Sequence, residues 1–407
     1  NNWTSMFTGP AWEYDEEVGE WYLHLYSKRQ PDLNYHNPKV LEEVEKILTF
    51  YFDKGVYGFR CDVINQIYKE SLEDGRLGTP NVGREHYLMT EGNHRILRQL
   101  YDDVFSKREC VVIGETYDVD SENGMRFLSN HEMDMFFQFE VMGVDQTPSR
   151  AFKKKFNPCR FKELIFKWQR QVPWNANYLE NHDQRRSLTR FGDEGGFWKE
   201  SGKALALINL TLKGTPFVYQ GQEIGMIDKP HCEPEESKDI ACLTVNRILK
   251  GMHMPKFVRY RVCNRIDRDH ARTPMQWDDS VSCGFSTSKQ TWIKVNPRKS
   301  EMINVAKEKD DPTSIYYFYK DLIHLREKIA PLHEGEFEEI PTKGELIAFR
   351  RISKEGETLT LVNLSKKEIA LPNSLVLNGY QTLLSTYADF DSSAHLLRPY
   401  EGALLSK

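Results

Sequence analysis

The sequence has little that would place it on a membrane or on nucleic acid. It contains no run of about 18 consecutive apolar residues, which a membrane-spanning helix needs. Basic residues are not in excess either, since 55 Lys and Arg stand against 60 Asp and Glu, for a net charge of −5 over 407 residues. A protein that binds nucleic acid or an anionic membrane through a broad positive field is therefore not expected.

Cysteine is scarce, and its spacing fits neither a zinc site nor a redox motif. The seven cysteines are spread along the chain without a CxxC pair. Cys61 and Cys110 lie inside apolar runs, where a buried, unreactive thiol is expected. This usage is typical of a reducing compartment, so we expect a cytoplasmic protein.

A starting methionine and a targeting segment are also missing, because the chain opens with Asn1-Asn2-Trp3. We therefore expect either a processed protein or a piece of a longer one. Internal repeats and low-complexity stretches are absent too, as is usual for an ordered globular chain.

What the sequence does contain is an alternation of helical and strand patterns. A first helix is predicted between Asn37-Pro38, a typical helix start, and Gly55, a typical helix end, because the apolar residues between them recur at helical spacing. Further helices are predicted over 94–105, 160–170 and 200–213. Short apolar runs predict buried strands at 56–63, 111–115, 136–139, 177–181 and 215–220. Strands that alternate with helices predict an α/β fold with a parallel sheet or a barrel.

The pattern changes after about residue 333. Apolar runs at 346–350, at 358–362 and at the end of the chain predict an antiparallel β module. We place its boundary between 332 and 333, so that 38–332 forms the α/β part and 333–407 a C-terminal β-sandwich domain.

Three acidic residues occur where catalytic groups of a barrel collect. Asp62, Glu115 and Asp183 each lie at or just past the C-terminal end of a separate predicted strand. In a (β/α) barrel the loops that carry catalysis open at that rim. Carboxylates that converge there fit glycoside hydrolysis, which uses one as nucleophile and one as proton donor. For each acid taken alone, capping of a helix is the alternative.

The neighbours of two of these acids suit the two roles. Arg60 lies two residues before Asp62, so that both side chains point to the same face of a strand and the guanidinium keeps Asp62 ionised. Glu115 follows an apolar Val-Val-Ile run. Partial burial there is expected to raise its pKa, as an acid/base requires.

The motifs together resemble the α-amylase superfamily of retaining α-glycosidases. The segments 58–63, 114–115 and 181–183 resemble the strands that carry its nucleophile, its acid/base and its third acid. The segment 30–34 resembles the one that follows the third strand. An exo-acting α-glucosidase branch is suggested by 214–216, 219–223 and 271–277.

The resemblance implies a role for each site residue. Asp62 is the expected nucleophile, Glu115 the acid/base, and Asp183 binds the 2- and 3-hydroxyls of the sugar at the cleavage site. His182 is expected to donate to the same sugar, and Arg60 to position Asp62. Arg272 and Arg186 are expected to hold the acids and the sugar ring. No metal and no cofactor are expected.

The resemblance also narrows the substrate to two candidates. A valine directly after the nucleophile, here Val63, resembles the residue found in enzymes that cleave α-1,6 bonds. Enzymes that cleave α-1,4 bonds more often carry a smaller or polar residue there. Isomalto-oligosaccharides and trehalose 6-phosphate both fit this residue, and Thr116 favours the glucan α-1,6-glucosidases. We therefore expect a glycoside hydrolase of the oligo-1,6-glucosidase type, with trehalose-6-phosphate hydrolysis as the alternative.

The resemblance covers only part of the family's barrel. The first three strands have no counterpart, so we expect barrel strands four to eight of a (β/α)8 TIM-type barrel, with 1–37 as the tail of the domain inserted after strand three. A non-catalytic relative that acts as a binding or scaffold subunit is the alternative of another class. The expected partner is an oligosaccharide, without nucleic acid or membrane, and no oligomeric state is predicted.

Overall fold

The computed structural model describes residues 1–78, 81–147, 154–230, 232–393 and 395–407. The chain forms two compact units, Asn1–Glu140 with Arg247–Met252, and Val141–Asn246 with His253–Lys407. Within the described ranges, no helix has both the length and the apolar character to cross a membrane.

The helices and strands alternate through most of the chain. The helices are α1 (Pro38–Asp53), α2 (Glu91–Asp103), α3 (Ser121–Ser129), α4 (Pro158–Gln171), α5 (Ser187–Phe191), α6 (Trp198–Thr211), α7 (Ile240–Gly251), α8 (Lys256–Ile266), α9 (Val305–Asp310), α10 (Ile315–Lys328) and α11 (Ala330–His333). The strands are β1 (Trp12–Asp15), β2 (Glu20–Leu23), β3 (Gly58–Cys61), β4 (Val111–Glu115), β5 (Met135–Phe137), β6 (Asn175–Asn177), β7 (Gly214–Pro216), β8 (Glu336–Glu339), β9 (Leu346–Ser353), β10 (Gly356–Asn363), β11 (Ile369–Ala370), β12 (Gln381–Ser385), β13 (Leu396–Leu397) and β14 (Gly402–Ser406).

The first unit is built around a three-stranded parallel sheet in the order β3-β4-β5. Strands β3 and β4 approach closely at Gly58 of β3, where a Cβ would lie 2.2 Å from the Val111 carbonyl oxygen of β4. Helix α1 leads into this sheet, capped by the Asn37 side chain with Pro38 in its first turn. The strand predicted over 56–63 is shorter, because Val63 takes a left-handed φ of 40°.

The second unit contains a two-stranded parallel sheet, β6-β7, in which β6 follows helix α4 and β7 follows helix α6 along the chain. The strand predicted over 177–181 is wrong in position, since β6 ends at Asn177. An apolar pattern could not locate it because two of its three buried residues are polar. The amides of Asn175 and Asn177 donate to the carbonyls of Trp168 and Lys213 at 3.2 and 3.1 Å.

The C-terminal part of the second unit is the predicted antiparallel module. Its main sheet has five strands in the order β12-β14-β10-β9-β8. Leu359 and Leu361 of β10 belong to a buried apolar cluster on one side of the sheet. Thr360, between them, points to the other side and bonds the Thr211 hydroxyl of α6 at 3.0 Å. The exact domain limits, 1–37, 38–332 and 333–407, stay predictions.

Candidate active site

Two of the predicted acids meet in the first unit, at the C-terminal ends of neighbouring strands. Cys61 of β3 lies opposite Gly114 of β4, so the next residue on each strand, Asp62 and Glu115, emerges at the same edge. Arg60 joins them. Its Nη2 lies 2.8 Å from Glu115 Oε2, and its Nη1 donates to Asp62 Oδ1. One guanidinium thus contacts two carboxylates.

The two carboxylates differ in their environment. The Asp62 side chain is 72% exposed, whereas that of Glu115 is 8% exposed. Burial, followed by a hydrogen bond with Asp62 and the negative charge of that group, raises the pKa of Glu115 to about 7 against the opposing charge of Arg60. Near neutral pH the pair can therefore offer one proton on Glu115 beside a carboxylate on Asp62.

The backbone after β3 supports this pair. The Val63 amide donates to Glu115 Oε2 at 3.4 Å. The fully buried Asn65 bonds the backbone of Tyr117 in both directions, at 2.8 and 3.2 Å. These bonds tie the loop that follows Asp62 to the loop that follows Glu115.

Tyr26 is a neighbour of this pair that the sequence reading missed. Burial and the charges of Glu115 and Asp62 raise its pKa, and its hydroxyl donates to Gln66 Oε1 at 3.3 Å. The sequence signal that could have identified Tyr26 is its position just before the 30–34 segment.

The third acid lies in a cluster of the second unit. Two arginines donate to Asp183 Oδ1: Arg268 Nη1 at 3.0 Å and Arg272 through Nη2. His182 Nε2 lies 3.6 Å from Asp183 Oδ2, and the Arg272 Nε donates to the His182 carbonyl at 2.8 Å. Asp183 is thus one carboxylate between two guanidiniums, with its side chain 30% exposed.

Arg268 is the residue of this cluster that sequence reasoning missed. It also pairs with the buried Asp239, its Nη2 lying 2.6 Å from Asp239 Oδ1. The signal was its place four residues before Arg272, ahead of the 271–277 motif. Arg268 was missed because the recognised motif begins at Ala271, three residues after it.

Arg186, expected beside the acids, is a buried residue that pairs with Glu180 at 3.3 Å. It also donates to the carbonyls of Gln220 and Ala271, at 2.7 and 3.3 Å. Through Ala271 it supports the backbone next to Arg272.

The structure thus places the predicted site residues in two groups. Arg60, Asp62, Val63 and Glu115 are brought together in the first unit, and His182, Asp183 and Arg272 in the second. Each group combines at least one carboxylate with hydrogen-bond donors, which suits a neutral, hydroxyl-rich ligand, and Glu115 of the first group suits proton transfer to it.

Comparison with known proteins agrees with this chemistry. An oligo-1,6-glucosidase of Parageobacillus thermoglucosidasius is 38% identical over 423 residues, which cover 98% of this chain and 74% of the relative. A glucan 1,6-alpha-glucosidase of Streptococcus pneumoniae is 35% identical over 381 residues, covering 90% of this chain and 68% of that protein.

Solved structures are similar over the whole chain. A crystal structure of Bacillus licheniformis trehalose-6-phosphate hydrolase superposes with a TM-score of 0.89 at 33% identity, covering 100% of this chain and 75% of the other. The fold class expected from the sequence, part of a TIM-type barrel followed by an antiparallel β domain, is confirmed. The alpha-amylase catalytic-domain model matches residues 1–335, and the chain therefore belongs to the α-amylase family of glycoside hydrolases.

Proposed function

We propose that this chain is a retaining α-glucosidase that hydrolyses terminal α-1,6-linked glucose of isomalto-oligosaccharides through a covalent glucosyl-enzyme intermediate. The observation that carries the proposal is the pair Asp62–Glu115, which shares Arg60 and differs in burial. The relatives named oligo-1,6-glucosidase and glucan 1,6-alpha-glucosidase support the linkage.

The first chemical step uses the different protonation states of the two acids. The Asp62 carboxylate attacks the anomeric carbon and forms a glucosyl ester as the glycosidic C–O bond breaks. Glu115 gives its proton to the departing oxygen. Arg60 supports this step because its charge favours the ionised form of Asp62.

The second step reverses the proton transfer. Glu115, now a carboxylate, takes a proton from water, whose oxygen attacks the anomeric carbon. Asp62 leaves as a carboxylate and the anomeric configuration is retained. A carboxyl group whose pKa is about 7 can serve both steps near neutral pH.

The second group supplies sugar recognition in this proposal. Asp183 accepts hydrogen bonds from the 2- and 3-hydroxyls, and His182 donates to the same sugar. Arg272 and Arg268 hold the Asp183 carboxylate in place, because both donate hydrogen bonds to its Oδ1. Val63, which directly follows the nucleophile, is proposed to favour the α-1,6 linkage over the α-1,4 linkage.

The proposal is tested by ranking the substrates of the purified protein by their kcat/KM values. We expect kcat/KM for isomaltose and panose to exceed that for maltose. Exchange of Val63 for Thr, of similar shape, is expected to reduce this preference by roughly tenfold. Preference for maltose would contradict the role of Val63. Preference for trehalose 6-phosphate would support the alternative that the structural neighbour represents, and absence of any hydrolysis would support a non-catalytic subunit.

We also propose a cytoplasmic location and a place in carbohydrate metabolism. All seven cysteines are free thiols, as is usual in a reducing compartment. Fractionation of cells with antibody detection checks the location, and recovery of the protein outside the cytoplasm would contradict it.

A further inference from the structure

Three pairs of residues join the segment of helix α7 to the segment of helix α8. Their numbers rise along the first segment and fall along the second, so the two segments are antiparallel. Asp239, just before α7, pairs with Arg268, just after α8, at 2.6 Å. In the middle, Cys242 faces Cys263. At the far end, the Arg259 Nη1 donates to Asn246 Oδ1 at 2.7 Å. We call these three pairs the α7–α8 ladder.

The middle pair of the ladder consists of two thiols in reciprocal contact. Cys242 Sγ lies 3.8 Å from the Cys263 carbonyl oxygen, and Cys263 Sγ lies 3.8 Å from the Cys242 carbonyl oxygen. Both cysteines are buried. Each side chain therefore reaches the backbone of the other, and the two thiols also hydrogen-bond each other, so the two sulfur atoms are neighbours.

We propose that Cys242 and Cys263 form a reversible disulfide, so that the α7–α8 ladder is a redox-sensitive site. The oxidant is a small-molecule disulfide of the glutathione type. The Cys263 thiolate attacks one of its sulfurs and releases one small thiolate. The Cys242 thiolate then attacks the Cys263 sulfur of the mixed disulfide and releases the second. Two protons and two electrons leave the protein, and one small disulfide becomes two small thiols.

The order of attack follows from the contact between the thiols. A hydrogen bond between the two side chains lowers the pKa of Cys263 and raises that of Cys242. The positive charge of Arg259 also lowers the pKa of Cys263. The thiolate that attacks first is therefore the one on α8.

Access to the buried thiols comes from local opening of α7. Of the 12 residues of this helix, all of them described, the buried ones are Cys242 and Asn246. Ile240 and Ile248 are 50% and 44% exposed. A helix held by so few buried residues opens at low free-energy cost, far below global unfolding. Oxidation is then expected to be slow but specific for this pair.

Closure of the disulfide affects the sugar-binding cluster through Arg268. The disulfide fixes the two sulfur atoms at about 2.05 Å, which restrains the two segments relative to each other. Arg268 lies at the end of the ladder and contacts both Asp239 and Asp183. A shift of Arg268 disturbs its hydrogen bond to Asp183, and sugar binding by Asp183 is weakened. This consequence, unlike the disulfide itself, rests on the proposed function.

Peptide mapping of the whole protein tests the disulfide without any assay of activity. The protein is incubated with oxidised glutathione, its remaining thiols are alkylated, and it is digested with trypsin. Cleavage after Lys or Arg places Cys242 in the peptide 239–247 and Cys263 in the peptide 262–265. We expect these two peptides linked, and separate after reduction. Absence of the linked pair, or a link from Cys263 to Cys232, overturns the proposal.

Cys232 is the matched control, because its backbone bonds the side chain of Asn264, the neighbour of Cys263. Cys232→Ser is expected to keep the link and Cys263→Ser to abolish it. If Cys263→Ser does not fold, the wild-type peptide map still decides.

Kinetics then test the consequence. We expect oxidation to raise KM for isomaltose by roughly tenfold with a smaller change in kcat, and reduction to restore it. A linked protein with unchanged KM overturns the coupling to Asp183. If the reduced protein does not hydrolyse isomaltose, the proposed function fails, and the peptide map alone decides the disulfide.

Discussion

The two acidic clusters are built from the same side chains in opposite proportions. In the first unit one arginine, Arg60, contacts two carboxylates, Asp62 and Glu115. In the second, two arginines, Arg268 and Arg272, contact one carboxylate, Asp183. The first cluster is therefore short of positive charge, whereas in the second the two arginines balance Asp183 and Asp239, the buried partner of Arg268.

This difference explains why the clusters suit different tasks. Two carboxylates that share one cation, with one of them buried, favour retention of a proton, and the pKa of Glu115 is raised to about 7. A carboxylate between two guanidiniums is held in one orientation, which suits acceptance of hydrogen bonds from sugar hydroxyls. The first arrangement moves protons, and the second binds.

The largest expected effect comes from removal of the nucleophile. Asp62→Asn keeps the shape of the side chain but cannot form the glucosyl ester, so kcat for isomaltose should fall by about four orders of magnitude or more. An aryl α-glucoside with a good leaving group should not restore it, because the missing group is the nucleophile. Steady-state kinetics on both substrates measure this, and substantial activity on either would show that Asp62 is not the nucleophile.

A smaller and substrate-dependent effect is expected for the proton donor. Glu115→Gln should lower kcat for isomaltose by roughly 10²- to 10⁴-fold. Glucosylation by an aryl α-glucoside should fall much less, since its leaving group needs no proton. A burst of aryl product followed by slow turnover would identify this variant. An equal loss on both substrates would instead give Glu115 another role.

Next in size are the arginines of the binding cluster. Arg272→Met removes a charged hydrogen bond from Asp183 and should lower kcat/KM for isomaltose by roughly 10- to 100-fold. Arg272→Lys, which keeps the charge but loses the fork geometry, should lie between this variant and the wild type. The wild-type pH dependence should persist in both. A changed upper pH limb would show that the two clusters do not divide the tasks as stated.

The smallest effect is a shift along the pH axis. Glu115 donates its proton below its pKa, so kcat/KM should fall as pH rises above about 7. Arg60 opposes this raised pKa by its positive charge. The Arg60→Lys variant contacts Glu115 more weakly, so the pKa of Glu115 should rise and the upper limb of the pH–rate profile should move to higher pH. A limb that stays in place, or one that moves down, would contradict the charge balance of the first cluster.

Much of the fold and part of the site followed from local patterns. Helix α1 was predicted because Asn37 and Pro38 cap it and Gly55 stops it. β4 was located by its apolar run. The segment 177–181 was placed too late because β6 is buried through asparagine amides that bond backbone carbonyls. A pattern of apolar residues contains no signal for such a strand.

The partners of the acids were harder to predict than the acids themselves. Arg60 was found because it is two residues from Asp62 on one strand. Arg268 was missed because it lies 85 positions from Asp183 in the chain. Contact over such a separation depends on how helices and loops pack, which no local period encodes.

The sequence by itself determined the alternation of strands and helices, the antiparallel C-terminal module and the two acids at strand ends, Asp62 and Glu115. These features depend on periodicity, on capping residues and on motifs that are local in the chain. Only the tertiary structure decided how much positive charge each acid receives, that Glu115 is buried while Asp62 is exposed, and that Cys242 faces Cys263. Burial and charge pairing are properties of packing between distant segments, and they set the chemistry of otherwise identical side chains.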